Sequence, residues 1–171
     1  GGEGVGRTRL LQELKWEAQL RFPVVAGSHR RPLPIHDLIS RALATPVDPT
    51  FRALLEASEQ LARSTTPVVL VFDDVHLLDP AAQQALMVLA RALSPGGNVL
   101  LAWSAIAPDA LPEQTLHIDL QPLDETSIRS WPQVPARHAS RLLAWTGGFP
   151  AAIVALLSQM TAQASDLRDL A

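Results

Sequence analysis

The sequence predicts an α/β domain, a mostly parallel sheet flanked by helices, with a small helical lobe at its C-terminal end. Three observations predict it. The run Val68-Val69-Leu70-Val71-Phe72 is continuously apolar, as expected of a parallel strand covered on both faces. Shorter strand-like runs alternate with stretches whose apolar residues recur at helical spacing, which implies crossover connections. After Pro122 only helical patterns follow. The expected division is a sheet-containing core over 1–121 and a lobe over 122–171.

In chain order, a glycine-rich start, Gly1-Gly2-Glu3-Gly4-Val5-Gly6, leads at once into a helical pattern. Leu10, Leu11, Leu14 and Ala18 share one face there. Phe22-Pro23-Val24-Val25-Ala26, closed by Gly27, is a short buried strand. Ile35–Leu43 is helical. Asp48-Pro49 has the form of an N-cap with proline at the first helical position, opening a helix that carries Phe51, Leu54, Leu55 and Leu61 inward. The central apolar strand follows. Asp79-Pro80 repeats the cap and opens a helix to about Ala92, with Ala82, Leu86, Leu89 and Leu93 on one side. Pro95-Gly96-Gly97 turns into a strand over 98–103. A weaker, alternating strand is expected over 116–120, and helices over 125–131, 136–145 and 151–164.

Composition sets the boundaries. The chain of 171 residues is 47% hydrophobic and 18% charged, which supports a sizeable core. It has no cysteine, so disulfides, thiolate metal sites and cysteine nucleophiles are excluded. A formal net charge of −3 leaves no basic footprint for nucleic acid. Within the basic residues, thirteen arginines stand against one lysine, Lys15. Apolar runs too short to span a bilayer and the lack of a signal-peptide pattern make a cytoplasmic location the expectation.

The glycine-rich start carries chemistry. Residues 1–8 read G-G-E-G-V-G-R-T against the phosphate-binding pattern G-x-x-x-x-G-K-[ST], with Arg7 in the lysine slot. Glycines let the backbone turn tightly enough for consecutive N–H groups to surround phosphate oxygens, and the next helix directs its positive end at the same anion. On this reading Gly1, Gly4, Val5, Gly6, Arg7 and Thr8 hold phosphates, and the Thr8 hydroxyl also serves Mg²⁺. The second half of the signal is the acidic end of the central strand. Asp73 is placed to hold Mg²⁺ through its water shell, and Asp74 to orient or deprotonate an attacking water. Either element alone has a bland explanation, a flexible terminus or a polar turn; together they specify a phosphate-loop NTPase.

The segments G-G-E-G-V-G-R-T-R-L-L, V-V-L-V-F-D-D-V-H-L-L-D and T-G-G-F-P-A-A-I resemble the ATPase module of STAND-class signalling ATPases, an AAA-type group. The texture is that of the large bacterial ATP-dependent transcriptional regulators, MalT-like and LuxR-type. The D-D-x-H element with a following acid falls on Asp73, Asp74, His76 and Asp79. The resemblance implies an ATP/ADP switch with Mg²⁺ and a place beside sensor and DNA-binding domains of one longer chain. It also implies nucleotide-dependent self-association, with no direct contact of this domain with nucleic acid or membrane. It places Gly148, Phe149 and Pro150 beside the adenine, and Ser104, at the end of the strand over 98–103, as a polar sensor of the γ-phosphate.

Three departures bear on activity. Arginine keeps the charge of lysine, but its planar fork is bulkier and its donors are differently arranged, so hydrolysis is expected to be slow or lost. The arginine that follows the sensor in the family is replaced by Ala105-Ile106. The strand that precedes the loop in the family is expected upstream of Gly1 in a longer protein. The alternative reading is a degenerate phosphate-loop domain serving as a non-catalytic scaffold. The remaining polar residues are ordinary: His29-Arg30-Arg31 as a solvated loop, Arg91 as an exposed helix residue, the five histidines without metal spacing. The four tryptophans, Trp16, Trp103, Trp131 and Trp145, read as packing residues.

Overall fold

A computed structural model describes residues 4–28, 34–93, 97–106 and 115–168. The chain divides into two units, one of Thr8–His117 and one of Gly1–Arg7 with Ile118–Ala171. The first holds a three-stranded parallel sheet in the order β1-β2-β3, with β1 Val24–Ser28, β2 Val68–Asp73 and β3 Val99–Trp103.

The central strand has the burial its composition requires: Val68, Val69, Leu70, Val71 and Phe72 are all buried. Its alternating side chains supply two cores, because successive residues of a strand point to opposite faces. Val68, Leu70 and Phe72 meet helices α2 (Ile35–Leu43), α3 (Phe51–Ala62) and α4 (Pro80–Ala92) through Leu38, Ile39, Leu54, Leu61, Leu86 and Leu89. Val69 and Val71 face Leu11 and Ala18 of α1 (Arg7–Gln19). Leu38, Ile39, Leu61, Leu70, Leu86 and Leu89 are at most 1% exposed. Each therefore contributes about 1.5–3 kcal/mol of burial.

The caps explain where the helices begin. Asp79 accepts the Ala82 N–H at 2.9 Å ahead of Pro80, as the sequence predicts. Asp48-Pro49 is not the cap of α3. Thr50 is, accepting the Ala53 N–H at 3.2 Å, so α3 starts at Phe51. Its inner face is then Leu54, Ala57, Ser58 and Leu61, while Phe51 and Leu55 are exposed, contrary to expectation. The buried Ser58 hydroxyl is satisfied by donating to the Leu54 carbonyl at 2.7 Å.

Other expectations shift in detail. β1 runs two residues later than its apolar run, since Pro23 has no N–H to give and only its carbonyl joins the sheet, accepting from Val69 at 2.9 Å. Gly27 lies inside β1, where a Cβ would come within 2.9 Å of a Leu38 methyl. On α1, Leu10 is turned outward, leaving Leu11, Leu14 and Ala18 against the sheet. Trp16 is also exposed, covered by the Arg9 guanidinium 5.0 Å from its ring centre. The segment over 116–120 forms no strand, with Leu116 84% and Ile118 62% exposed. Alternation alone does not make a strand without a ladder, and among the described residues the three strands of the sheet pair only with one another. Pro95, Gly96 and the cluster His29-Arg30-Arg31 lie outside the described residues.

The second unit is helical: α5 Glu125–Arg129, α6 Ala139–Thr146 and α7 Pro150–Arg168, with a 3-10 turn over Ala136–His138. Ile128, Val134, Ala139, Leu142 and Ile153 form its core. Trp131 packs against that core, whereas Trp145 is 61% exposed beneath the Arg141 guanidinium, 4.7 Å from the ring centre. Asp124 caps α5 by accepting the Ser127 N–H at 2.7 Å. Gly147 ends α6 at φ +61°, the left-handed conformation that lets a helix stop. Gly148 follows at φ +78°, its carbonyl accepting the Leu123 N–H at 2.8 Å.

Candidate functional site

The glycine-rich residues lead straight into α1. Gly4 and Gly6 take positive φ values of 79° and 99°, which side-chain-bearing residues rarely adopt. A Cβ placed on Gly6 would meet no atom within 4 Å, so the loop has open space there. Val5 between them is 7% exposed and anchors the loop. Arg7 opens α1 and is half-buried, and Thr8 is exposed beside it. The first turn of any helix leaves N–H groups without intrahelical partners, so α1 presents donors and a positive dipole end directly after the glycines. Open space, positive-φ glycines and exposed first-turn donors suit a phosphate group.

The same unit brings the loop to the G-F-P element. The Gly4 carbonyl accepts the Ala151 N–H at 3.2 Å at the start of α7. A Cβ on Gly4 would lie 3.4 Å from that of Ala151 and 3.8 Å from the Phe149 ring. Phe149 and Ala151 flank Pro150, so this part of the sequence signature is assembled in one place. Gly1 lies outside the described residues.

The acidic residues belong to the sheet unit. Asp73 is the last residue of β2, the central strand, and pairs in register with Ser28 of β1. Asp74 follows with φ 53° and ψ 48°, a left-handed conformation that acidic side chains tolerate better than most. It leads into a 3-10 turn over Val75–Leu77. Gln83 of α4 holds that turn from outside, its Nε2 donating to the Leu78 carbonyl at 2.9 Å and the His76 carbonyl at 3.4 Å. His76 turns its Nδ1 inward, where this buried nitrogen has no hydrogen-bond partner among the described residues.

Ser104, directly after β3, is 7% exposed and is joined to this acidic end by every polar group it has. Its N–H donates to the Phe72 carbonyl at 3.0 Å, and its carbonyl accepts the Val75 N–H at 2.9 Å. Its hydroxyl donates to Asp73 Oδ1 at 2.6 Å and accepts the Asp74 N–H at 2.9 Å. Asp73 Oδ2 has no hydrogen bond among the described residues. It is the carboxylate oxygen left to serve a cation or its water shell. Ile106, two residues after Ser104, is 38% exposed and apolar.

The candidate residues thus fall into two assembled sets. Gly4 is set beside Phe149 and Ala151, and Asp73 and Asp74 beside Ser104. Arg91 is exposed on α4, as its sequence context predicts. Among the described residues no three His, Cys, Asp or Glu side chains converge as a metal cluster. Ser104 was legible as a polar strand end, but its bonds to both aspartates were not, because they join residues some thirty positions apart. Gln83 carried no signal in the sequence.

Among solved structures, the chain is similar to one in a structure of Drosophila ORC bound to DNA, with 15% identity and a TM-score of 0.60. The match covers 96% of this chain and 50% of that one, so this chain spans half the length of its structural neighbour. The likeness supports the α/β class, a parallel sheet flanked by helices of the phosphate-loop NTPase-like kind. No protein-family model matches the sequence, and no curated protein matches it either. The likeness concerns fold; chemistry has to come from the residues.

Proposed function

We propose that the chain is a nucleotide-binding switch module, holding ATP or ADP with Mg²⁺, within a cytoplasmic multidomain signalling or transcriptional regulator. The observation that carries the reading is the acidic end of the central strand, Asp73-Asp74, in a chain whose glycine loop leads directly into a helix. The likeness in fold supports it. In this reading the backbone N–H groups of the loop bind phosphate oxygens, with Gly4 and Gly6 giving the turn and Arg7 the charge. Thr8 and Asp73 supply oxygens to Mg²⁺, which when bound offsets phosphate charge. Asp74 is the candidate base for water, and Pro150 lies on the adenine side.

Arg7 makes hydrolysis slow. Its guanidinium still neutralises phosphate, but it cannot follow the transferring group as a compact ammonium can. A switch needs no fast turnover, because its output is the difference in population between nucleotide states. Partners on this reading are sensor and effector domains of the same longer protein, with self-association favoured by ATP.

Thermal unfolding tests the proposal. A ligand present at 100 times its Kd stabilises by about 2.7 kcal/mol, which in a chain of this size raises Tm by roughly 5–10 °C. Mg-ADP and Mg-ATP at millimolar concentration should each give such a rise, and Arg7→Ala, compared with its own unliganded Tm, should abolish it. The absence of any rise with either nucleotide would favour a scaffold module.

A further inference from the structure

We propose that Ser104 is a positioning residue that sets the acidic pair for Mg²⁺, and not a sensor of the γ-phosphate. The inference rests on the nucleotide-binding reading and changes what one of its residues does. A γ-phosphate sensor needs a donor free to reach the phosphate. The Ser104 hydroxyl has one proton, and that proton is given to Asp73 Oδ1 at 2.6 Å. Its oxygen accepts the Asp74 N–H at 2.9 Å. The main chain of Ser104 is equally committed, to Phe72 on one side and Val75 on the other. At 7% exposure it has little surface left to offer a ligand.

The same four bonds have a positive consequence. Asp73 is held by one oxygen, which fixes its carboxylate plane and leaves Oδ2 to meet a cation. Asp74 is held through its N–H in a left-handed conformation that is otherwise disfavoured, and the Val75 bond begins the turn beyond it. Removing one hydroxyl therefore loosens the carboxylate and the strained residue together. The effect falls on the cation, whichever nucleotide is present, because ATP and ADP both bring Mg²⁺ to Asp73. A sensor would instead distinguish the two nucleotides.

The experiment is a calorimetric titration of the full chain, as wild type, Ser104→Ala and Ser104→Thr, with ADP and with ATP, in Mg²⁺ and in EDTA. A charge-assisted hydrogen bond corresponds to about tenfold or more in an equilibrium constant. Ser104→Ala should weaken Mg-ADP and Mg-ATP alike by about tenfold, leave binding in EDTA unchanged, and be rescued to within about threefold by Ser104→Thr. A loss confined to ATP, or an equal loss in EDTA, overturns the proposal. A double-mutant cycle of Ser104→Ala with Asp73→Ala in thermal unfolding without nucleotide supplies an independent reading. The two changes should be non-additive by about tenfold in the unfolding constant, and additivity overturns the clamp. A wild-type chain that shows this coupling yet binds neither nucleotide would sink the nucleotide reading and leave the clamp standing.

Discussion

Replacing Gly148 by alanine should unfold the helical unit far more readily than the same change one residue earlier. Both glycines have positive φ, +61° at Gly147 and +78° at Gly148, so alanine pays about 1–2 kcal/mol for the left-handed backbone at either. They differ in what a Cβ would touch. At Gly147 it lies 3.4 Å from a Phe149 ring carbon, an ordinary contact. At Gly148 it would lie 2.1 Å from the Leu123 carbonyl oxygen and 3.1 Å from the Leu123 nitrogen. Real Cβ atoms stay at least 3.0 Å away, so the Leu123 backbone must retreat by about 0.9 Å. That retreat breaks the 2.8 Å bond from the Leu123 N–H to the Gly148 carbonyl, which contributes a further 0.5–1.5 kcal/mol, roughly. Gly148→Ala should therefore cost about 1.5–3.5 kcal/mol and Gly147→Ala about 1–2. Hydrogen exchange read by peptide mass is the suitable assay, because it separates the units. Peptides holding Ile128, Leu142 and Ile153 should lose protection in Gly148→Ala, while those of β2 keep theirs. Equal protection in the two variants, or a Gly148→Ala protein within about 1 kcal/mol of wild type, would show that the close approach to Leu123 is not what requires glycine.

Three further outcomes follow from the packing and the caps. Leu89→Ala empties a fully buried position in α4 and should lower stability by about 2–5 kcal/mol, with Tm falling by roughly 5–15 °C in a thermal melt. Gly27→Ala drives a Cβ to 2.9 Å from a flexible Leu38 methyl and should cost about 1–2 kcal/mol in urea unfolding, less than Gly148→Ala because a side chain yields more easily than a carbonyl. The Asp124 carboxylate is held below its ordinary 3.8 by the Ser127 backbone N–H, then by the Ser127 side chain. Its capping stability is therefore present above that value and lost as pH falls through the depressed one. Asp124→Asn should flatten the acid side of the Tm–pH curve below about pH 4, whereas an unchanged acid limb would mean that the cap is not ionised.

The central strand was the most legible element, because five consecutive apolar residues have only one common explanation in an α/β chain. Asp79-Pro80 was equally plain, since cap and proline act within four residues. Asp48-Pro49 shows the limit of that reasoning: the same pair was passed over for Thr50, two residues on, and the inward face of α3 rotated with it. The segment over 116–120 failed for another reason. Its alternation is real, but a strand exists only with a partner ladder, and partners are not a local property. At the candidate site, the positive φ of Gly4 and Gly6 and the place of Asp73 at the end of the central strand were readable, because glycine and a polar residue after an apolar run are local signals. The bonds of Ser104 to both aspartates, and that of Gly4 to Ala151, join distant positions and belong to the fold. The arginine excess found a partial meaning in the structure, where the guanidinium groups of Arg9 and Arg141 stack over Trp16 and Trp145.

The measurement that bears most directly on the account is an equilibrium titration of the wild-type chain with Mg-ATP and Mg-ADP by calorimetry. One saturable site per chain is expected for each nucleotide, weakened at least tenfold by Arg7→Ala and by Asp73→Ala, with turnover slow enough that ATP survives the titration. Heats indistinguishable from dilution for both nucleotides at millimolar concentration would contradict the account.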